Sequence, residues 1–111
     1  MAPGSSFQYE IEKAPKDESG NEVTTIRCHG RLVAGNTGPL TDAVKPLVSR
    51  GGRIVVDLGD LQHLDSSGLG TLIGLKVSAI NQGFCKVELS NTPPRVLEML
   101  RITNLLEMFS A

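Results

Sequence analysis

The sequence predicts an α/β domain built on a mixed sheet of about four strands, with helices mainly on one face. Three observations carry this. Two strand-like segments open the chain, FQYEIE at 7–12 and VTTIRCHG at 23–30, joined by the polar stretch APKDESGNE. A continuous apolar run, RIVVDL at 53–58, lies between glycines, as expected of a central parallel strand buried on both faces. From residue 39 onward, helical and strand periodicities then alternate, the order that builds strand–helix–strand crossovers.

Taken in order, Phe7, Tyr9 and Ile11 face one way and Gln8, Glu10 and Glu12 the other, which predicts a half-buried edge strand. Residues 23–30 are its antiparallel partner, and RLVAGNTG at 31–38 reads as a connection. Leu40, Ala43, Val44 and Leu47 then mark one face of a helix. Pro39 suits its first turn, whereas Pro46 predicts a kink or an early end. After the strand at 53–58, GDLQHLD leads to a pair of serines. From Ser66 the period is helical, with Leu69, Leu72, Ile73, Val77 and Ile80 on one stripe and Gly83 as the stop. FCKVEL at 84–89 alternates as a fourth strand. Two prolines open a helix carrying Val96, Leu97 and Leu100. Asn104 suits a left-handed break before a short helix with Leu105, Leu106 and Phe109. Met99, Met108 and Phe109 read as core. Residues 1–6 are expected to be disordered and 7–111 to form the one domain.

Composition removes several functions. A net charge of −1, no Trp and one Tyr provide neither a basic field nor stacking platforms, so no nucleic-acid partner is expected. No apolar run approaches a membrane span, and MAPGSSFQYE lacks the basic start and apolar core of a signal peptide. A cytoplasmic protein without membrane partners is the expectation. Cys28 and Cys85 each lie in an apolar segment and read as buried reduced thiols, with no disulfide or metal site.

The chemistry concentrates in Asp65-Ser66-Ser67-Gly68, at a strand-to-helix junction. An Asp or Ser there can cap the helix. A nucleophilic serine would need a base and an oxyanion site. The G-x-S-x-G pattern is absent, and neither His63 nor His29 sits in a supporting pattern. Asp57 and Asp60 lack the companions of a phospho-aspartate site, and no phosphate-cradling loop occurs. A regulatory phosphoserine fits best. A helix N-terminus tolerates a phosphate, so adding about −1.5 to −2 charges there would alter a docking surface more than the fold.

The stretch RIVVDLGDLQHLDSSGLGTLIGLKVSAINQGFCKVEL resembles the STAS domain family of bacterial anti-sigma factor antagonists. Asp57, Asp65, Ser66, Ser67, Gly68, Leu69, Gly70 and Gly83 match its pattern. Gly30-Arg31-Leu32 and the ending PPRVLEMLRITNLLEMF are similar to further family segments. The resemblance implies a STAS-like α/β fold and a non-enzymatic, cofactor-free binding protein. In the family, the unphosphorylated domain binds an anti-sigma factor that is also a serine kinase and frees the sigma factor. Phosphorylation of the serine after the motif Asp ends binding, and a serine phosphatase restores it. Carried over, Ser66 is the acceptor. Asp65, Ser67, Gly68, Leu69 and Gly70, with Leu32, Val33, Asn36 and Thr37 from the neighbouring strand end, form the partner-binding surface. Val33 stands where many antagonists carry Asp. The alternative is a non-switching STAS scaffold, or an accessory subunit of a stress-signalling or lipid-transport complex. A monomer or weak dimer is expected.

Overall fold

Strands β1 (Phe7–Ala14), β2 (Val23–Leu32), β3 (Gly52–Leu64) and β4 (Cys85–Ser90) lie side by side in that order in one sheet. β1 runs antiparallel to β2, whereas β2–β3 and β3–β4 are parallel. Four helices complete the chain: α1 (Gly38–Arg50), α2 (Ser66–Gln82), α3 (Pro94–Ile102) and α4 (Leu106–Ser110). This computed structural model describes residues 7–110. Residues 1–6, expected to be disordered, lie outside the described residues, as does residue 111.

The core sits between one sheet face and the helices. Ile26, Cys28, Ile54, Val56, Leu58 and Val87 are buried there against Leu40, Val44 and Val48 of α1, Leu69, Leu72 and Leu75 of α2, and Val96 and Leu100 of α3. Burying each such Leu, Ile or Val contributes about 1.5–3 kcal/mol. Burial also pushes the Cys28 thiol up to about 12, so it behaves as a small apolar side chain. Cys85, expected to be buried, is half-exposed; both cysteines are free thiols.

The opposite sheet face is ionic, and this corrects the reading of β3 as buried on both sides. Ile54, Val56 and Leu58 face the core, but Arg53, Val55 and Asp57 are half-exposed. Val55 alone made the run look continuous. Arg53 donates two 2.7 Å hydrogen bonds to Glu88 on β4. Arg27 lies 3.0 Å from Glu12 and 3.7 Å from Asp57. His29 sits between Asp60 and Glu10, whose carboxylates raise its pKa, that of Asp60 most. β1 is indeed an edge strand, yet it is not half-buried. Tyr9 and Ile11 are 38% and 47% exposed, because the helices pack over β3 and β4.

Three further boundaries differ from the expectation. β2 and β3 continue as a pair to Leu32 and Leu64, well past residues 30 and 58, with register irregularities that let the extra residues of β3 bulge. α1 does not end at Pro46 but runs to Arg50. Pro46 and Asp42 are exposed, so water can take the carbonyl that the proline leaves unpaired, while Leu40, Val44 and Val48 hold the inner face. In α3, Val96 and Leu100 are buried as expected but Leu97 is 43% exposed.

The inward face of α2 is also rotated from the expected stripe. Leu69, Leu72, Leu75, Lys76 and Ala79 are buried, whereas Val77 and Ile80 point out. Apolar residues occur on both stripes, so spacing alone could not choose between them. Lys76 fills a core position by extending its stem and donating to the Val87 carbonyl at 2.9 Å, with its ammonium 5.9 Å from the Phe109 ring centre. Burial lowers its pKa. This one side chain ties α2 to β4 and α4.

Candidate functional site: the Asp65 cap and the exposed serine pair

β3 ends at Leu64 and α2 begins at Ser66, so Asp65 is the only residue between them. It has the extended backbone of an N-cap, φ −108° and ψ −172°. One carboxylate oxygen accepts from the Gly68 N–H at 3.0 Å. The other accepts from the Ala34 N–H at 3.1 Å, in the loop between β2 and α1. Asp65 therefore caps α2 and clamps that loop to it. The Ala34 and Gly68 N–H groups hold its carboxyl below the usual carboxylate range.

The clamp needs β2 and α2 to touch, and Gly68 makes that possible. A Cβ at position 68 would stand 2.2 Å from the Leu32 carbonyl oxygen, an impossible distance. The Leu32 carbonyl also accepts from the Asp65 N–H at 3.4 Å. Leu32 pairs with Leu64 across the parallel β2–β3 ladder, which is why residues 32 and 68 meet at all. The loop beyond Leu32 is a tight turn. The Asn36 N–H donates to the Val33 carbonyl at 2.9 Å, Gly35 takes φ 91°, and the Asn36 side-chain amide donates to the Arg31 carbonyl. The Thr37 carbonyl then starts α1 by accepting from the Thr41 N–H at 3.2 Å.

The residues expected at the partner surface thus gather in one place but in two layers. Ser66, Ser67 and Gly70 are exposed, and Val33, Asn36, Thr37 and Asp65 are half-exposed. Leu32, Gly68 and Leu69 are buried. These three cannot present themselves to a partner and instead position those that can. Gly68 is where two backbones come close, and they do so within the chain, toward Leu32. Ala34 was missed: it contributes through its backbone N–H, and no side-chain pattern marks that. Among the described residues no hydrogen bond joins His63 to Ser66. His63 lines a shallow cleft with Leu61, Leu64, Pro93, Val96 and Met99.

Chemically, the site is a positive helix end with a solvent-exposed hydroxyl on its first residue. The 17-residue α2 has no acidic side chain in its first turn, so Asp65 is the carboxylate nearest that end. A group transferred to Ser66 meets the helix dipole, which favours negative charge, and lies beside an Asp65 already engaged by two N–H groups. No cluster of metal-ligating side chains occurs among the described residues. No described helix is long and apolar enough to cross a membrane.

Known proteins share this fold. The STAS domain model matches residues 14–111. A STAS-domain containing protein of Pseudomonas aeruginosa (strain UCBPP-PA14) is 34% identical over 90 residues, covering 81% of this chain and 87% of the relative. The phosphorylated form of the Bacillus cell fate determinant SpoIIAA superposes with a TM-score of 0.69 at 18% identity, over 88% of this chain and 85% of that one. An anti-sigma factor antagonist from Mycobacterium paratuberculosis superposes with a TM-score of 0.70 at 22% identity, over 97% and 86%. The solved structures establish a shared fold, the family match takes in both the Asp65 clamp and the serines, and the chain belongs to the STAS domain family.

Proposed function

We propose that this protein is an anti-sigma factor antagonist whose binding is switched by phosphorylation of Ser66. The observation that carries the reading is the exposed Ser66 hydroxyl, directly after a cap that is itself fully engaged within the fold. Modification there leaves the cap and the core untouched and changes only what can dock. The likeness to SpoIIAA, described in its phosphorylated form, supports a phospho-regulated surface on this fold. The protein acts as a binding partner and not as an enzyme. In its unphosphorylated form it binds an anti-sigma factor that is a serine kinase, which releases the sigma factor. The kinase then moves the γ-phosphoryl group of ATP to Ser66 Oγ, ADP leaves, and the serine proton passes to a base of the kinase. A serine phosphatase hydrolyses the ester to serine and inorganic phosphate. Until that hydrolysis, a partner that buried Ser66 must desolvate a dianion next to Asp65, and the complex separates.

A second reading, a scaffold that binds without switching, is favoured by Val33. The half-exposed Val33 side chain borders the site where many antagonists carry Asp, so a polar contact for the kinase is missing.

Intact-mass spectrometry after incubation with ATP and an anti-sigma factor kinase from the same genome separates the two. One added phosphate, mapped to Ser66 and absent from Ser66→Ala, is the expected result. A stable complex with no added phosphate would replace the switch with the scaffold.

A further inference from the structure

Two rows of alternating charge cross the outer face of the sheet, and each spans β1, β2 and β3. In one, Arg27 of β2 lies 3.0 Å from Glu12 of β1 and 3.7 Å from Asp57 of β3. In the other, His29 of β2 meets Asp60 of β3 through Nδ1, and Glu10 of β1 through Nε2 at 2.7 Å. Both rows place a cation on the middle strand between two carboxylates. They differ in one respect. A guanidinium keeps its proton across the physiological range, whereas an imidazole titrates within it.

The ring geometry sets its protonation state. An ionised carboxylate only accepts hydrogen bonds, and a neutral imidazole has a single N–H. The neutral ring can therefore donate to Asp60 or to Glu10, but not to both. Contact with both at once needs an N–H on each nitrogen, which is the imidazolium. Asp60 and then Glu10 are the charges that act on the ring most strongly. Glu12, Arg27 and Asp57 form the adjacent row, and Arg31 and His63 are partners further along the β2–β3 ladder. The helices pack on the opposite sheet face. The strand that depends on this contact is β1, which is bonded to a neighbour on one side only. Beyond Phe7 at its start it gains little from packing, since Tyr9 and Ile11 are exposed. The backbone ladder with β2 and the two ion rows are what hold it.

We infer that His29 is a proton-sensitive tether for the edge strand: its imidazolium joins β1 to β3 across β2, and loss of one proton releases Glu10 and loosens β1. Glu10 is the partner released because Asp60 acts on the ring more strongly and keeps the remaining N–H. The direction of the pH effect follows from the same contacts. Both carboxylates raise the folded pKa above the ordinary value of 6.5. The tether is therefore complete below about 6.5 and disappears as pH rises through the folded value. It works on the alkaline side of 6.5, where the Arg27 row does not respond. A loosened β1 bares the backbone N–H and C=O groups along the edge of β2. β2 is the strand that ends at Leu32, against Gly68.

The test is amide hydrogen exchange on the full chain from about pH 5 to about pH 9, with the intrinsic exchange rates divided out so that protection reports opening alone. The His29 ring is followed by NMR over the same range. Protection of the β1 amides paired with β2 should fall about two- to fivefold as the ring loses its proton, the size expected of an exposed ion pair. Protection in the β3–β4 pair should stay constant. His29→Gln should show the lower β1 protection at every pH, and His29→Arg, a permanent cation, should remove the pH dependence. Constant β1 protection while the wild-type ring titrates would overturn the tether. So would a ring that titrates at or below 6.5, or one that stays charged throughout. An equal loss in the β3–β4 pair would replace the tether with a global effect. These readings come from the wild-type chain, so they hold even where a variant fails to fold. A pH response of the same size in His29→Gln would assign the change to another group and overturn the inference as well.

Discussion

Gly68 and Gly70 are two residues apart on one helix, yet their surroundings are opposite. At Gly68 an added Cβ would lie 2.2 Å from the Leu32 carbonyl; at Gly70 it would meet nothing within 4 Å. The inward side of α2 is sealed against β2, β4 and the core by Leu69, Leu72, Leu75 and Lys76. Its outward side is uncharged and unfilled. One helix thus has two unlike faces, one packed into the fold beneath the serine and one left exposed. The difference also shows that a motif glycine has no single meaning, since its role depends on what lies across from its missing side chain.

The contrast can be broken most severely at Gly68. Gly68→Ala sets a methyl group against a backbone carbonyl that cannot move without disturbing the β2–β3 ladder. A loss of at least about 3 kcal/mol in urea-unfolding stability is expected. An unchanged midpoint would mean that α2 can lift off β2 freely. Next come matched truncations of the two faces. Leu72, 1% exposed, should lose about 3 kcal/mol on Leu72→Ala, against about 0.5 kcal/mol or less for Ile80→Ala at 57% exposure. Equal losses would show that the outward face is packed after all.

A smaller effect tests the clamp. Asp65→Asn keeps one acceptor oxygen, so it can cap Gly68 or hold Ala34 but not both. The Tm should fall by several degrees at neutral pH. The Asp65 carboxyl is lowered in the folded chain, by Ala34 first and then Gly68. Its contribution is therefore complete above the unfolded value of about 3.9 and disappears as pH falls through the folded value. The Tm gap between wild type and Asp65→Asn should close over that acid range. A gap that persisted unchanged there would assign the loss to shape and not to charge. The smallest effect has the opposite sign: Gly74→Ala should stabilise the isolated chain by about 0.5–1 kcal/mol. Destabilisation would mean that a neighbour fills the space beside Gly74.

Much of this was legible in the residues themselves. The alternation of FQYEIE, the glycine-bounded RIVVDL and the proline-opened α3 each act locally, through side-chain spacing and backbone torsion, so they identify elements without knowledge of partners. Asp65 as cap and Asn104 in a left-handed turn at φ 61° are local in the same sense. What failed was anything decided across space. Tyr9 and Ile11 alternate as a half-buried strand should, but only the placement of the helices over β3 and β4 leaves them in water. Pro46 is a helix breaker by itself, tolerated because it falls on the solvent side of α1. On α2 two apolar stripes competed, and the one containing Lys76 faces inward because the Val87 carbonyl and Phe109 receive its ammonium.

By itself, then, the sequence determined the order of strands and helices, the Asp-Ser-Ser-Gly junction and the resemblance that points to Ser66. The tertiary structure alone decided that Leu32 meets Gly68, that Ala34 is held by Asp65, and which face of α2 is left open. The physical reason is range. Torsional preference and periodicity act within a few residues, whereas burial and hydrogen-bond pairing join residues such as 32 and 68 only after the parallel ladder has brought them together.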